Sequence, residues 1–207
     1  MQTAFDRRLE RHIGELTSLY DSLYHDKNAF QYFLEMLRRC WAGRKEALRR
    51  RDKAREAEPN WYRGRELLGM MLYVDAFAGT LKGVEEKLPY LRECGVNYLH
   101  LMPLLATPKG RSDGGYAVSD FRTVQPELGT MKDLEGLADA CRKRGISLCL
   151  DFVMNHTSEE HEWAKKARSG DPECRARYFF YDSWDIPWKF EQTVPQVFPT
   201  TAPGSFT

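Results

Sequence analysis

Ile146-Ser147-Leu148-Cys149-Leu150-Asp151-Phe152-Val153-Met154-Asn155-His156 is the stretch from which the chain is read. From Ile146 to Val153 it is a short, mostly apolar run behind Gly145, the composition of a strand buried on both faces. Upstream, Thr130 to Arg144 places Leu134, Leu137, Ala138 and Cys141 at helical spacing, and Gly145 breaks the pattern. The same alternation occurs twice more towards the N-terminus. Val96 to Met102 reads as a buried strand, preceded by a helix over Leu81–Cys94 with Val84, Leu88 and Leu91 on one face and Gly95 closing it. Met70 to Asp75, between Gly69 and Gly79, reads as another buried strand. Strand, helix, strand, helix, strand is the pattern of parallel βα units, which fits either a doubly wound sheet or a (β/α)8 barrel. No G-x-G-x-x-G follows the first strand, which weakens the dinucleotide-binding form of the doubly wound sheet. Pro103 to Gly129 reads as a polar, glycine-rich loop.

The first part of the chain has a different period. Phe5, Leu9, Ile13, Leu16, Tyr20 and Leu23 recur every three or four residues and predict an amphipathic helix. A second helix carries Phe30, Phe33, Leu34, Leu37 and Trp41, with Asn28 as its expected cap and Gly43 as its stop. A third, from Arg44 to about Glu58, is mostly charged; it is either a solvated face or a basic surface for a partner. Pro59-Asn60 ends this helical region.

Composition narrows the function classes. With 42% hydrophobic and 13% aromatic residues the chain is able to build a core, and 29% charge is ordinary for a globular protein. Lys+Arg 31 against Asp+Glu 30 leaves a net charge of +1, so nothing global points to nucleic acid or an anionic membrane. Cys40, Cys94, Cys141, Cys149 and Cys174 are widely spaced with no CxxC pair, which reads as reduced thiols in a cytoplasmic protein. The charged start and the lack of a long apolar run predict neither a signal peptide nor a membrane span.

In parallel α/β proteins function gathers at the C-terminal ends of the strands. That rule selects Asp75 with Phe77, the loop Ser112-Asp113-Gly114-Gly115-Tyr116, and Asp151 through His156. Alone, a strand-end Asp-x-x-x-Asn-His also fits a histidine satisfied by its own loop, and Tyr116 also fits a core tyrosine. In order and spacing, however, Leu101-Met102-Pro103, Gly115-Tyr116-Ala117-Val118-Ser119-Asp120-Phe121, Leu128-Gly129-Thr130 and Asp151-Phe152-Val153-Met154-Asn155-His156-Thr157-Ser158 resemble the first part of the α-amylase superfamily, glycoside hydrolase family 13. Within it, Tyr73-Val74-Asp75-Ala76-Phe77-Ala78-Gly79, Tyr98-Leu99-His100-Leu101-Met102-Pro103-Leu104, Ser112-Asp113-Gly114-Gly115-Tyr116-Ala117-Val118 and Asn155-His156-Thr157-Ser158 followed by His161-Glu162-Trp163-Ala164 resemble amylosucrases. So does the helical region ending in Ala54-Arg55-Glu56-Ala57-Glu58-Pro59 and Trp61.

The resemblance implies an α/β architecture: an all-helical N-terminal domain over 1–68, the first three βα units of a (β/α)8 TIM barrel over 69–153, and the start of an insertion over 154–207. It implies a retaining glucosyltransferase that uses sucrose, releases fructose and builds α-1,4-glucan, with no cofactor and no metal. Tyr116 would stack under the glucosyl ring, His156 would hydrogen-bond the 6-hydroxyl, and Asp113 would pair with an arginine further along the family's sequence. That pairing closes the pocket to one glucosyl unit. Asp151, the counterpart of a buried ion-pair partner, and Asn155, a calcium ligand in some amylases, would order the site. Retaining chemistry needs two carboxyl groups roughly 5–5.5 Å apart. In the family these follow strands four and five, and a stabilising aspartate follows strand seven. The expectation is that all three lie beyond Thr207 and that the chain alone is inactive. A hydrolytic α-amylase or α-glucosidase relative, and a non-catalytic glucan- or protein-binding remnant, remain alternatives.

Overall fold

The structure, a computed structural model, describes residues 3–193. It divides into two compact units, Met1–Gly64 and Arg65–Thr207. The expected insertion over 154–207 is described as far as residue 193, and its remainder lies outside the described residues. No helix among the described residues is long and apolar enough to cross a membrane.

In the first unit, α1 (Ala4–Tyr24) starts at Thr3, whose side chain accepts from the Asp6 amide while the Asp6 carboxylate accepts from the Thr3 amide. This reciprocal box satisfies two of the amides that a helix start leaves unpaired. Helix α2 (Lys27–Gly43) is capped by Asp26, whose Oδ1 accepts from the amides of Asn28 and Ala29 at 2.9 and 3.0 Å. The cap expected at Asn28 stands two residues earlier, at Asp26, whose charge also meets the positive end of the helix dipole. The rings of Tyr20 and Phe30 lie 4.9 Å apart and those of Tyr20 and Phe33 5.9 Å, which joins α1 to α2.

Helix α3 (Glu46–Ala57) is not only a solvated face. Arg49 donates to the Trp41 and Ala42 carbonyls at 2.8 and 2.7 Å, filling acceptors that the end of α2 leaves open. Glu56 accepts from Arg8 at 2.6 Å and from Arg11, and the two guanidiniums hold its carboxyl down at about 2. Arg55 stacks 3.7 Å from the centre of the Trp61 ring. Much of the positive charge read from the sequence is thus engaged inside this unit.

In the second unit β1 (Gly69–Leu72) is followed by a short helix α4 (Val74–Ala78), then α5 (Leu81–Glu86), α6 (Leu88–Glu93), β2 (Tyr98–Leu101), β3 (Leu105–Ala106) and β4 (Asp120–Val124). Next come α7 (Met131–Lys143), β5 (Ser147–Leu150), α8 (Glu162–Arg168), α9 (Pro172–Arg175) and α10 (Asp185–Glu191). The sheet is parallel, in the order β1-β2-β5. Register aligns Met70 with Leu99 and Leu148, Met71 with His100 and Cys149, and Leu72 with Leu101 and Leu150.

Aligned residues share a face, because successive side chains alternate. The face carrying Leu72, Leu99 and Leu101 packs on Leu81, Val84, Leu88 and Leu91 of α5–α6 and on Leu137 and Cys141 of α7. Leu81, Leu88, Leu91, Leu99, Leu101 and Leu137 lose all contact with solvent. Gly145, at φ 74°, turns α7 into β5 while the Ile146 amide reaches back to the Cys141 carbonyl at 2.9 Å.

Several expected boundaries move. The first strand stops at Leu72 rather than Asp75, since the Phe77 amide bonds the Tyr73 carbonyl at 3.1 Å and closes a helical turn. Asp75 and Phe77 consequently sit in α4. The helix expected over 81–94 breaks at Lys87, because Pro89 has no amide to continue the ladder. The loop expected over 103–129 contains the antiparallel pair β3–β4, too short and too irregular in register to show a period of two. Nor are all three strands buried on both faces: Met71, on the face opposite the core, is 64% exposed, and on the core side Leu150 at the end of β5 is exposed as well. The described helices of the core cover one face, so the residues that alternate with the core residues along the strands stay partly or fully open.

Candidate functional site

The open face converges on the ends of β2 and β5. His100 lies on β2 beside Cys149, and Asp151, two residues past Cys149, follows on the same side. His100 Nε2 is 2.8 Å from Asp151 Oδ1, and the Tyr116 hydroxyl donates to Asp151 Oδ2 at 3.0 Å. The Asp151 amide donates to the Leu101 carbonyl at 3.3 Å, fixing its backbone against β2. Asp151 is not fully buried: 23% of its side chain remains accessible. The carboxylate beside it raises the Tyr116 phenol above its ordinary value, chiefly through the hydrogen bond, because ionising the phenol would remove the donor and set two anions together.

Tyr116 is delivered by the turn Asp113–Gly115. Asp113, Gly114 and Gly115 take φ of 49°, 65° and 97° in succession, and Tyr116 and Ala117 amides bond the Asp113 and Ser112 carbonyls at 3.2 and 3.0 Å. Aspartate is among the few residues besides glycine that enter the left-handed region. Gly115 has a further reason to be glycine: a β-carbon there would lie 2.8 Å from Pro103 Cβ and 2.9 Å from the Pro103 carbonyl oxygen. The Tyr73 hydroxyl reaches towards Gly114. Asp113 itself is exposed.

Asn155 and His156 follow β5. The Asn155 amide nitrogen stands 3.4 Å from His156 Nδ1. An amide nitrogen only donates, so Nδ1 accepts and the ring proton of the neutral tautomer sits on Nε2. No hydrogen bond joins His156 to Tyr116 among the described residues. The two loops are tied instead through backbone and charge: the Ser158 amide donates to the Val118 carbonyl at 2.8 Å, and Arg111 bonds Glu159 at 2.6 Å and also Glu160. Beyond them His161 caps α8 by accepting the Trp163 amide on Nδ1 at 3.1 Å, between the rings of Phe121 and Trp163. Burial holds its pKa below the usual imidazole value. Among the described residues no group of three or more His, Cys, Asp or Glu is placed to hold a metal ion.

Of the five residues singled out in the sequence, the structure joins Tyr116 to Asp151 and Asn155 to His156, and puts Asp113 on the turn that presents Tyr116. It adds His100 and Tyr73, which sequence reasoning left unassigned. The available signal was His100 itself, an imidazole inside the otherwise mostly apolar run Val96–Met102.

Parallel strands with polar groups gathered at their C-terminal ends define a βα-type sheet protein whose site is built from strand-end loops. The sequence pattern of the alpha-amylase family, in its description as alpha amylase, catalytic domain, matches residues 26–204, and the chain belongs to that family. Its fold is that of the alpha-amylase catalytic domain, a TIM-barrel family. The chain is 35% identical over 155 residues to a trehalose synthase of Pimelobacter sp. (strain R48), covering 72% of this chain and 26% of that protein. It is equally identical over 155 residues to maltase 1 of Drosophila virilis, covering 72% and 24%. Among solved structures it is similar to the trehalulose synthase MutB from Pseudomonas mesoacidophila MX-45, with TM-score 0.52 and 36% identity over 58% of this chain and 23% of that one. An isomaltulose synthase mutant from Erwinia rhapontici NX5, in complex with its natural substrate sucrose, gives TM-score 0.52 and 31% identity over 58% and 22%. The chain spans about a quarter of the length of the curated relatives it matches.

Proposed function

We propose that the chain forms the sugar-gripping part of a retaining α-glucosyltransferase that takes glucose from sucrose, releases fructose and extends an α-1,4-glucan, the reaction of amylosucrases. The observation that carries this reading is the Tyr116–Asp151 hydrogen bond at the ends of parallel strands, which anchors an aromatic ring on the open face. A phenol ring matches the C–H face of a glucosyl unit. His156, with Nδ1 satisfied by Asn155, keeps Nε2–H for a sugar hydroxyl. Asp113, exposed on its turn, is the group to meet an arginine and close the pocket behind one glucosyl unit. Asp151 and Asn155 order the site.

In this reading residues 1–68 are a helical domain, 69–153 supply barrel strands and 154–207 begin an insertion. The chain contributes binding, while the nucleophile and acid/base of the double displacement come from other barrel strands. A second reading, a hydrolase or isomerase of α-glucosidic disaccharides, is favoured by the relatives named as maltase and trehalose synthase. Asp113 speaks against an α-amylase with an open groove for longer chains, which has no use for a blocked end; the disaccharide enzymes are separated by the sugar the chain holds.

Saturation-transfer NMR with sucrose, and separately with maltose, tests the proposal on the whole chain. Sucrose contact that falls about tenfold in Tyr116→Ala, with no fructose released, is the expected result. Steady fructose release by the chain, or sucrose contact unchanged in Tyr116→Ala, overturns it. Maltose held in preference to sucrose favours the second reading.

A further inference from the structure

We propose that His100 is the positioning residue of this site: from β2, through the Asp151 carboxylate, it holds the Tyr116 ring in place. The inference rests on the reading of Tyr116 as the sugar platform and adds a residue to it. An ionised carboxylate only accepts hydrogen bonds. At Oδ1 it faces His100 Nε2 at 2.8 Å and at Oδ2 the Tyr116 hydroxyl at 3.0 Å. His100 Nε2 therefore carries the ring proton, and both carboxylate oxygens are engaged by donors from different elements.

This geometry fixes the plane of the carboxylate. One donor rides on the central strand, whose backbone is locked by pairing on both sides. The other rides on a loop held by a turn with three successive left-handed residues. Without His100, the partly accessible Asp151 side chain is free to rotate towards water, and Tyr116 loses the fixed acceptor that orients its ring. A group that binds a ligand is only as well placed as the shell that holds it. His100 touches no substrate in this account. Its effect passes through Asp151.

The test uses the whole chain labelled with 15N in histidine and 13C at tyrosine Cζ, as wild type, His100→Gln and His100→Phe. In the wild type, His100 shows the 15N signature of a protonated Nε2, and Tyr116 ionises above the ordinary tyrosine value of about 10. His100→Phe returns the Tyr116 midpoint towards that ordinary value and weakens D-glucose binding on the order of tenfold. His100→Gln, whose side-chain amide still donates, keeps both close to wild type. A Tyr116 midpoint identical in folded His100→Phe and wild type overturns the inference, as does a wild-type His100 protonated only on Nδ1. Should His100→Phe not fold, the wild-type tautomer and the His100→Gln titration decide alone. If Tyr116 follows His100 but the wild type binds no glucose, the sugar reading falls and the positioning role stands. If glucose binds while Tyr116 ignores His100, the positioning role falls and the sugar reading stands.

Discussion

The two faces of the three-stranded sheet are built from the same strands and answer to different physics. One face, Leu72, Leu99 and Leu101 with the partly buried Met70 and Leu148 beside them, meets α5, α6 and α7 and is covered by the chain's own helices as far as the exposed Leu150 at the end of β5. The other presents Met71, His100, Cys149 and Asp151, half open or open, with Tyr116 bonded across it from a loop. Burial of apolar area organises the first, at about 25 cal/mol per Å². The second is organised by directional hydrogen bonds around one carboxylate. Apolar burial is concentrated on one side of a strand and directional hydrogen bonding on the other, so a shift of one residue along β2 exchanges a core position for one on the candidate site's face.

The sharpest way to break this contrast is Leu99→Ala. Leu99 is 0% exposed, and emptying such a position costs about 3 kcal/mol or more, read as a lower midpoint in urea unfolding. Thiol chemistry sharpens the contrast next. Burial pushes the Cys141 thiol, on the covered side, up to about 11 from an ordinary 9.0, which leaves it on the order of a hundredfold less thiolate. A maleimide at pH 8 is expected to label the exposed Cys40 and Cys94 first, then the partly exposed Cys149, and to reach Cys141 only after unfolding, as mass spectrometry of the labelled peptides will show.

Gly115→Ala probes the loop that serves the open face. A β-carbon there meets the Pro103 carbonyl at 2.9 Å with φ at 97°, so about 2 kcal/mol is lost in urea unfolding, and the sucrose contact proposed for Tyr116 is expected to weaken with it. The smallest effect belongs to Met71→Ser. On the open face of an edge strand, its stability change is expected within about 0.5 kcal/mol. A loss there as large as at Leu99 would mean that both faces are core.

Particular residues show how far the sequence reaches. Gly145 and the stripe Leu134, Leu137 and Cys141 placed α7 and the turn into β5, because helical period and a left-handed stop are local properties. The break that Pro89 makes in the helix expected over 81–94 is local too, since a missing amide is a property of one residue. The pair β3–β4 was not legible: Leu105–Ala106 is too short to alternate, and its partner is recruited from fourteen or more residues away by register alone.

What the sequence determined by itself was the three parallel strands with the helices before and between them, from local period, and the family, from the resemblance of its motifs; it marked Asp113, Tyr116, Asp151, Asn155 and His156 as candidates near strand ends. Only the tertiary structure decided that Tyr116 bonds Asp151 across a separation of 35 residues, and that His100 joins them from the neighbouring strand. The physical reason is that strand pairing sets which side chains share a face, and pairing is a contact between distant segments that no local period encodes.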